Sequence, residues 1–348
     1  MKAFKAILFA SVLLFILTAL PAFSDPAELP RIVVCGRGFS LVADALYMFP
    51  EASDAVVAMG NTNQAGGSFQ TYLDPGSSSR AVISMDAGAE EIASYHPDWV
   101  ILKSYLMGSL GSSLEKLGIP VLYVDLETPE QYERDLTAIG KILGNPERAS
   151  ELITYFSSGR EGIIRRVNAL SESDKPSVLF LYYTTRGGSV SFSVPPAEWL
   201  QSLLLDWSGS RAVWTNSALG RGWTSVNFEQ VAAWNPEYIF VTAYHNDVDE
   251  VKAILTSDSK WKLLSSVKSG RLLAFPGDYL SWDQPDPRWM LGLYWITSVL
   301  HPEIISEDDL HEEIYYFFSF LYGLPEERVK NDILPLIKGD LIAGDSVN

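Results

Sequence analysis

Cysteine, histidine and basic residues are all scarce in this chain. Cys35 is the one cysteine, so no internal disulfide can form and stability has to come from the apolar core. The four histidines are scattered, and no pair has metal-ligand spacing, which argues against a site for a bare transition-metal ion. Acidic residues number 43 against 26 basic ones, which excludes a nucleic-acid partner because such a partner requires a basic surface.

Sequence motifs of familiar enzymes are also missing. The chain has no Gly-x-Ser-x-Gly, Gly-x-x-x-x-Gly-Lys or His-Glu-x-x-His sequence. Gly36-Arg37-Gly38 follows an expected strand, but Leu41 stands where a dinucleotide-binding loop has its third glycine. We therefore expect a binding protein without a cofactor rather than an enzyme. An exported hydrolase of unfamiliar type would instead show turnover.

Only one long apolar run is present, and it lies at the N-terminus. Lys2 and Lys5 precede an apolar stretch at 6–20, and small residues follow it up to Ser24. This pattern is typical of a secretory signal peptide, and the run is shorter than the roughly 20 residues that span a membrane. We expect cleavage near Ser24 and export to the periplasm. Cys35 lies beyond that position, so we expect no lipid anchor.

Short β-type runs alternate with helical patterns in both halves of the chain, and this alternation predicts βαβ units with mainly parallel sheets. The predicted fold class is α/β, with two Rossmann-like lobes bridged by a single long helix. The expected divisions are the signal peptide at 1–24, an N-terminal lobe at 25–144, a bridging helix at 145–171, a C-terminal lobe at 172–302, and a helical extension packed on the second lobe at 303–348.

The bridging helix is predicted from its first residues and its apolar stripe. Asn145 is a suitable N-cap, and Pro146 suits the first helical position. The apolar residues that follow recur at helical spacing along one face. They are Leu152, Phe156, Ile163, Val167 and Leu170. A single rigid helix between two lobes would permit only small closing movements.

A twelve-residue pattern occurs twice. Residues 228–239 repeat the pattern of residues 89–100, and each copy predicts a short helix, a proline turn and a buried strand. One copy alone would be an ordinary connection between a helix and a strand. Two copies at equivalent places in the halves indicate two lobes of related design. Two such lobes form a cleft, and small ligands bind in clefts between domains.

This arrangement resembles the binding proteins of ABC importers for iron chelates and vitamin B12, from about Arg31 to Pro302. The similarity rests on the order of several segments: the repeated pattern, residues 118–121, residues 143–147 and residues 261–271. The resemblance implies two α/β lobes joined by one long helix (class III), and a permease with its ATPase as partner. We expect a monomer.

The resemblance also implies a glutamate on each lobe that pairs with permease arginines. The matching positions are Glu90 and Glu229. Each glutamate would also interact favourably with the dipole of its own helix, an effect of a few tenths of a kcal/mol. A sensor or adhesion module with the same fold would not need the pair for transport.

The candidate ligand site is read from the loops after the predicted strands, because ligands of parallel sheets bind beyond the carboxyl ends of strands. Arginine offers a planar fork for carboxylates, catecholates or oxyanions, and aromatic side chains supply flat walls. The candidates are Arg37, Tyr105, Tyr183, Arg186, Arg221, Trp223, Tyr244, Trp282 and Asp283. We expect a ferric siderophore, haem or corrinoid, with a compact oxyanion such as molybdate or tungstate as the alternative. The arginines could instead only neutralise an acidic surface.

Overall fold

The computed structural model describes residues 28–61, 67–186, 189–217 and 220–341, and the expected signal peptide lies outside these residues. A β-sheet forms in each half of the chain. Within the described ranges, no helix combines the length and the apolar character that crossing a bilayer requires. The described residues therefore form two sheets with their flanking helices, followed by a C-terminal segment.

The first sheet has five strands in the order β3-β2-β1-β4-β5, and all neighbouring strands are parallel. Its central strands read as continuous apolar runs because both faces are covered. The strands are β1 (Ile32–Val34), β2 (Val56–Gly60), β3 (Ala81–Ile83), β4 (Trp99–Lys103) and β5 (Val121–Val124). The helices are α1 (Phe39–Leu46), α2 (Ala52–Ala55), α3 (Phe69–Leu73), α4 (Ala89–Ala93), α5 (Ser112–Lys116) and α6 (Pro129–Leu143).

The long helix α7 (Pro146–Val167) follows the first sheet. The Asn145 side chain accepts a hydrogen bond from the Arg148 backbone N–H at 3.0 Å and so satisfies a free donor of the first turn. Four members of the predicted apolar stripe, from Leu152 to Val167, are buried. The helix packs through this face on α6 and on helices of the second half.

The second sheet has the order β11-β10-β6-β7-β9, and β8 pairs with β6. Its pairs are parallel except β6–β7 and β7–β9, so the predicted α/β class with two mainly parallel sheets is confirmed. The strands are β6 (Ser177–Arg186), β7 (Ser189–Val194), β8 (Arg211–Ala212), β9 (Thr224–Val226), β10 (Tyr238–Thr242) and β11 (Leu272–Ala274). The helices are α8 (Leu200–Trp207), α9 (Phe228–Trp234), α10 (Val248–Ser257), α11 (Ser265–Lys268), α12 (Trp289–Leu300), α13 (Glu307–Tyr322) and α14 (Glu326–Arg328).

A buried ion cluster joins the two halves of the chain. The Arg288 Nη1 atom lies 2.5 Å from Asp44 Oδ2 of α1 and 3.2 Å from Asp286 Oδ1, and Arg288 Nε lies 2.5 Å from Asp278 Oδ1. All four side chains are buried. Burial raises the pKa of Asp44 and of Asp278, although Arg288 opposes both shifts. The guanidinium also lies 4.4 Å from the centre of the Phe69 ring, so both halves contact it.

The C-terminal segment, residues 306–341, contacts both halves. The Tyr322 hydroxyl donates to the Asp44 carbonyl at 3.2 Å, and the Tyr72 hydroxyl donates to Asp332 at 2.8 Å. On the second half, the Trp295 indole N–H donates to the Asp340 carbonyl at 2.6 Å. The extension that we expected on the second lobe therefore also touches the first half.

Glu313 on α13 is a titratable group that contacts α7. The Tyr155 hydroxyl donates to its carboxylate. Burial raises the pKa of Glu313 to about 7, against the opposing effect of hydrogen bonds from Tyr155 and Tyr294. The folded protein therefore binds this proton more tightly than the unfolded chain does.

We expect the Glu313 carboxyl to make stability fall as pH rises. Its contribution is fully present below the unfolded pKa near 4.5 and is lost as pH passes through about 7, a change of about 2 kcal/mol for this partly exposed group. Urea unfolding of the wild type and of Glu313→Gln at pH 4.5 to 8 measures it. The variant should show the flatter profile, and identical profiles would contradict the assignment.

Candidate functional site

Two loops of the first half meet where β1 and β4 end. These strands are neighbours, so their carboxyl ends bring Arg37 and Tyr105 together, and the Tyr105 hydroxyl donates to the Arg37 carbonyl at 2.6 Å. Gly38 starts α1 with φ 74°, a left-handed conformation that favours glycine. The Arg37 side chain is 71% exposed, and Tyr105 is also exposed. This loop pair therefore presents a guanidinium and a ring to solvent.

The second half presents a group of half-buried rings that we call the aromatic cluster: Tyr182, Trp199, Trp223 and Tyr244. Tyr182 and Tyr244 stack with ring centres 4.6 Å apart, and Tyr182 lies 4.8 Å from Trp223. Trp199 meets Trp223 edge-on at 5.6 Å. Pairing of β6 with β10 sets Tyr182 opposite Thr242, so the cluster lies at the carboxyl end of β10. An aromatic surface therefore lies where ligands of such sheets bind.

Asp283 forms hydrogen bonds that hold one ring of the aromatic cluster in place. It is fully buried, and its carboxylate accepts hydrogen bonds from the Tyr244 hydroxyl at 2.5 Å, from Thr242 at 3.0 Å and from Gln201 at 3.4 Å. Burial raises the pKa of Asp283, while the hydrogen bonds that it accepts act to lower it. Asp283 therefore fixes the orientation of the Tyr244 ring and does not itself face solvent.

Two candidates belong to the core instead. Tyr183 is 5% exposed, and its ring packs 5.9 Å from that of Phe192. Successive side chains of a strand point to opposite faces, so Tyr182 joins the aromatic cluster and Tyr183 cannot. Trp282 is fully buried, and Gly292 of α12 packs closely against its backbone. Neither side chain can contact a ligand in this structure.

The remaining candidates are distributed around the site. Arg221 is exposed two residues before Trp223 of the aromatic cluster. Arg186 ends β6, and its side chain lies outside the described residues. Sequence reasoning missed Tyr182 and Trp199 as cluster members. Tyr182 precedes the candidate Tyr183 on β6, and the alternation of side chains along a strand is the signal that could have indicated it. Nothing near Trp199 in the sequence indicates that residue.

A pocket of about 360 Å³ adjoins the aromatic cluster at Tyr244. We call it the C-terminal pocket, because one of its walls comes from residues 335–338. The segments after β10 and β11 form the rest. The lining residues are Ala243, Tyr244, Asn246, Asp247, Val248, Phe275, Gly277, Asp278, Tyr279, Leu280, Ser281, Pro335, Leu336 and Lys338.

Glu90 and Glu229 occupy equivalent exposed positions. Each lies in the first turn of a short helix, α4 or α9, that precedes a central strand of its sheet. In the part of the chain that the structure describes, no three histidine, cysteine or acidic side chains are grouped to hold a metal ion. Cys35 is buried, and burial raises its pKa to about 12.

Known proteins similar to this chain are binding proteins. A family model described as periplasmic binding protein matches residues 43–279. The molybdate-binding protein MolA of Haemophilus influenzae is 22% identical over 256 residues, which cover 67% of this chain and 69% of MolA. The structure of MolA bound to molybdate has a TM-score of 0.69 at 17% identity and covers 85% of this chain and 94% of that chain.

Two further structures share the fold. An ABC transporter solute-binding protein from Sulfurospirillum deleyianum has a TM-score of 0.70 at 19% identity, covering 88% of this chain and 94% of that chain. A periplasmic haem-binding protein from Pseudomonas aeruginosa has a TM-score of 0.60 at 20% identity, covering 79% of this chain and 94% of that chain. The prediction of a binding protein rather than an enzyme is confirmed by the family match, which covers more than half of the sequence. The chain belongs to the periplasmic binding proteins, the solute-binding components of ABC importers.

Proposed function

We propose that the protein captures a metal chelate, such as a ferric siderophore, haem or corrinoid, and delivers it to a permease. The aromatic cluster carries this proposal. Its rings offer an aromatic surface of the kind that buries the organic ligand of a chelate. Asp283 holds the Tyr244 ring in place, so the surface is formed before the ligand arrives.

Arginines supply the charge recognition in this account. Arg37 and Arg221 are exposed, and a guanidinium binds carboxylate or catecholate oxygens through two parallel hydrogen bonds. The chain as a whole is acidic, with a formal net charge of −17, so an anion needs such local donors. The proposed route is export by the signal peptide, capture by a monomer, and docking through Glu90 and Glu229.

Trp223→Ala is expected to weaken binding of the cognate chelate by about 30-fold, because a central aromatic contact contributes about 2 kcal/mol or more. Titration calorimetry with a ferric trihydroxamate, a ferric tricatecholate and haem first identifies the chelate that binds, and then compares the variants. Trp234→Ala is the matched control, since Trp234 is also half-buried but lies on α9, outside the cluster. Equal affinities of the two variants would count against the aromatic cluster as the site.

A compact oxyanion is the second candidate ligand, and the similarity to MolA favours it. Arg37 and Arg221 with nearby backbone N–H groups would then enclose the anion, and the aromatic cluster would contribute little. Calorimetry with molybdate and tungstate separates the two functions. Tight binding of either oxyanion without binding of any chelate would replace the first proposal by the second.

A further inference from the structure

The C-terminal pocket has a wall that the two sheets do not supply. Pro335 and Leu336 of the C-terminal segment face the loops that follow β10 and β11. Its volume of about 360 Å³ falls within the range of about 300–1,000 Å³ that is typical of small-molecule sites. Tyr244 lines this pocket and also belongs to the aromatic cluster. A ligand seated on the cluster would therefore reach the pocket directly.

One end of this wall is fixed to the second half. Lys338 and Gly277 exchange two backbone hydrogen bonds at 2.8 and 3.1 Å, and Asp340 accepts from the Ala274 N–H at 2.7 Å. Gly339 has φ 89°, and a Cβ atom there would lie 2.6 Å from the Phe275 carbonyl oxygen. Glycine is therefore required at this position.

The other end is fixed to the first half. Asp332 accepts from the Tyr72 hydroxyl at 2.8 Å, and the Arg328 guanidinium lies 4.4 Å from the centre of the Tyr72 ring. Val329 and Ile333 are fully buried. Pro335 and the residue after it thus lie between two anchored stretches, and the wall is a permanent part of the pocket.

The lining combines apolar side chains with two acidic ones and a lysine. Leu336 is 42% exposed and lines the pocket together with Phe275 and Leu280. Asp278 Oδ2 is buried and has no hydrogen-bond partner among the described residues, although Oδ1 pairs with Arg288. A second carboxylate, Asp247, caps α10 and lies 3.8 Å from the Lys338 Nζ atom, so both acidic side chains of the lining have a cationic partner. The apolar side chains of the lining suit an apolar chain of a ligand.

We propose that the C-terminal pocket is a subsite for an apolar arm of the organic ligand of a metal chelate. The inference rests on the proposed capture of a chelate by the aromatic cluster. Pro335 and Leu336 cover the arm from the side of the C-terminal segment. The protein then selects its ligand by the organic groups at the periphery of the chelate as well as by the part that binds the metal.

The test measures how tightly the full-length wild type and two full-length variants bind two probes. The probes are the ferric complex of a linear trihydroxamate with a pentylammonium tail and the same complex with the tail acetylated, so the two arms share an apolar stem and differ in the charge at the end. Leu336→Trp fills the mouth of the pocket and is expected to weaken both complexes by about 10-fold or more. Leu263→Trp, at a leucine that is 68% exposed elsewhere in the second half, should leave both affinities unchanged.

The outcomes separate the two proposals. If Leu336→Trp binds both complexes as tightly as wild type while Trp223→Ala weakens them, the arm subsite is overturned and chelate capture stands. If neither variant changes the affinity, both proposals are overturned. Failure of wild type to bind either ferric complex also overturns the arm subsite, whereas chelate capture is then decided by haem and the ferric tricatecholate. Circular dichroism checks that both tryptophan variants fold.

Discussion

Arg288→Met is expected to lower the free energy of unfolding by about 3–5 kcal/mol. The variant retains most of the side-chain volume but leaves Asp44, Asp278 and Asp286 buried without their shared cation. Three buried carboxylates without a counter-charge must take up protons or draw in water, and both processes destabilise the native state. The variant also loses the contact of the guanidinium with Phe69, which joins the halves. Urea unfolding at pH 7 measures the change.

Arg328→Met is the matched control for this experiment. Arg328 also lies over an aromatic ring, that of Tyr72, and pairs with an aspartate, Asp332, at 3.3 Å. Its side chain is 44% exposed, however, so solvent screens the pair and the expected loss is below about 1 kcal/mol. Equal losses in the two variants would contradict the view that burial of the ion cluster makes Arg288 essential.

Reversing both proposed docking charges, with Glu90→Arg and Glu229→Arg together, is expected to abolish transport and leave ligand affinity unchanged. Each arginine would face the permease arginines that the glutamates are proposed to pair with, and like charges at an interface oppose association. Both positions are exposed, so the fold should tolerate the change. The measurement is stimulation of the transporter ATPase in proteoliposomes, beside calorimetry of the binding protein alone.

The control for docking is the pair Glu147→Arg and Glu250→Arg. These glutamates are also exposed and also lie in the first turns of helices, one before and one within the second half. Their reversal should leave ATPase stimulation near the wild-type value. Full stimulation by the Glu90 and Glu229 double variant would rule out docking and leave the helix dipole as the role of these two residues.

Local patterns in the sequence were sufficient to predict the fold class. Apolar runs bounded by turns predicted the parallel strands, and the repeat at 89–100 and 228–239 predicted α4 with β4 and α9 with β10. The Asn145 cap with its stripe predicted α7, because both signals lie within a few helical turns. Signals that lie within a few helical turns of each other can be recognised in the sequence without knowledge of the rest of the chain.

The site was harder to predict because it depends on register and on distant contacts. Strand β6 continues to Arg186 and pairs with β7, and the alternation along it directs Tyr182, not Tyr183, to the aromatic cluster. Arg288 meets Asp44 across 244 positions, and no local pattern links them. The walls of the C-terminal pocket likewise come from separate segments that only the fold brings together.

Native mass spectrometry of the protein purified from the periplasm, with metal analysis of the same sample, tests the central claim most directly. The account predicts a co-purified organic molecule that contains iron or cobalt, released on unfolding, and a smaller bound fraction in Trp223→Ala. Bound molybdenum or tungsten without organic mass would contradict chelate capture and establish an oxyanion as the ligand.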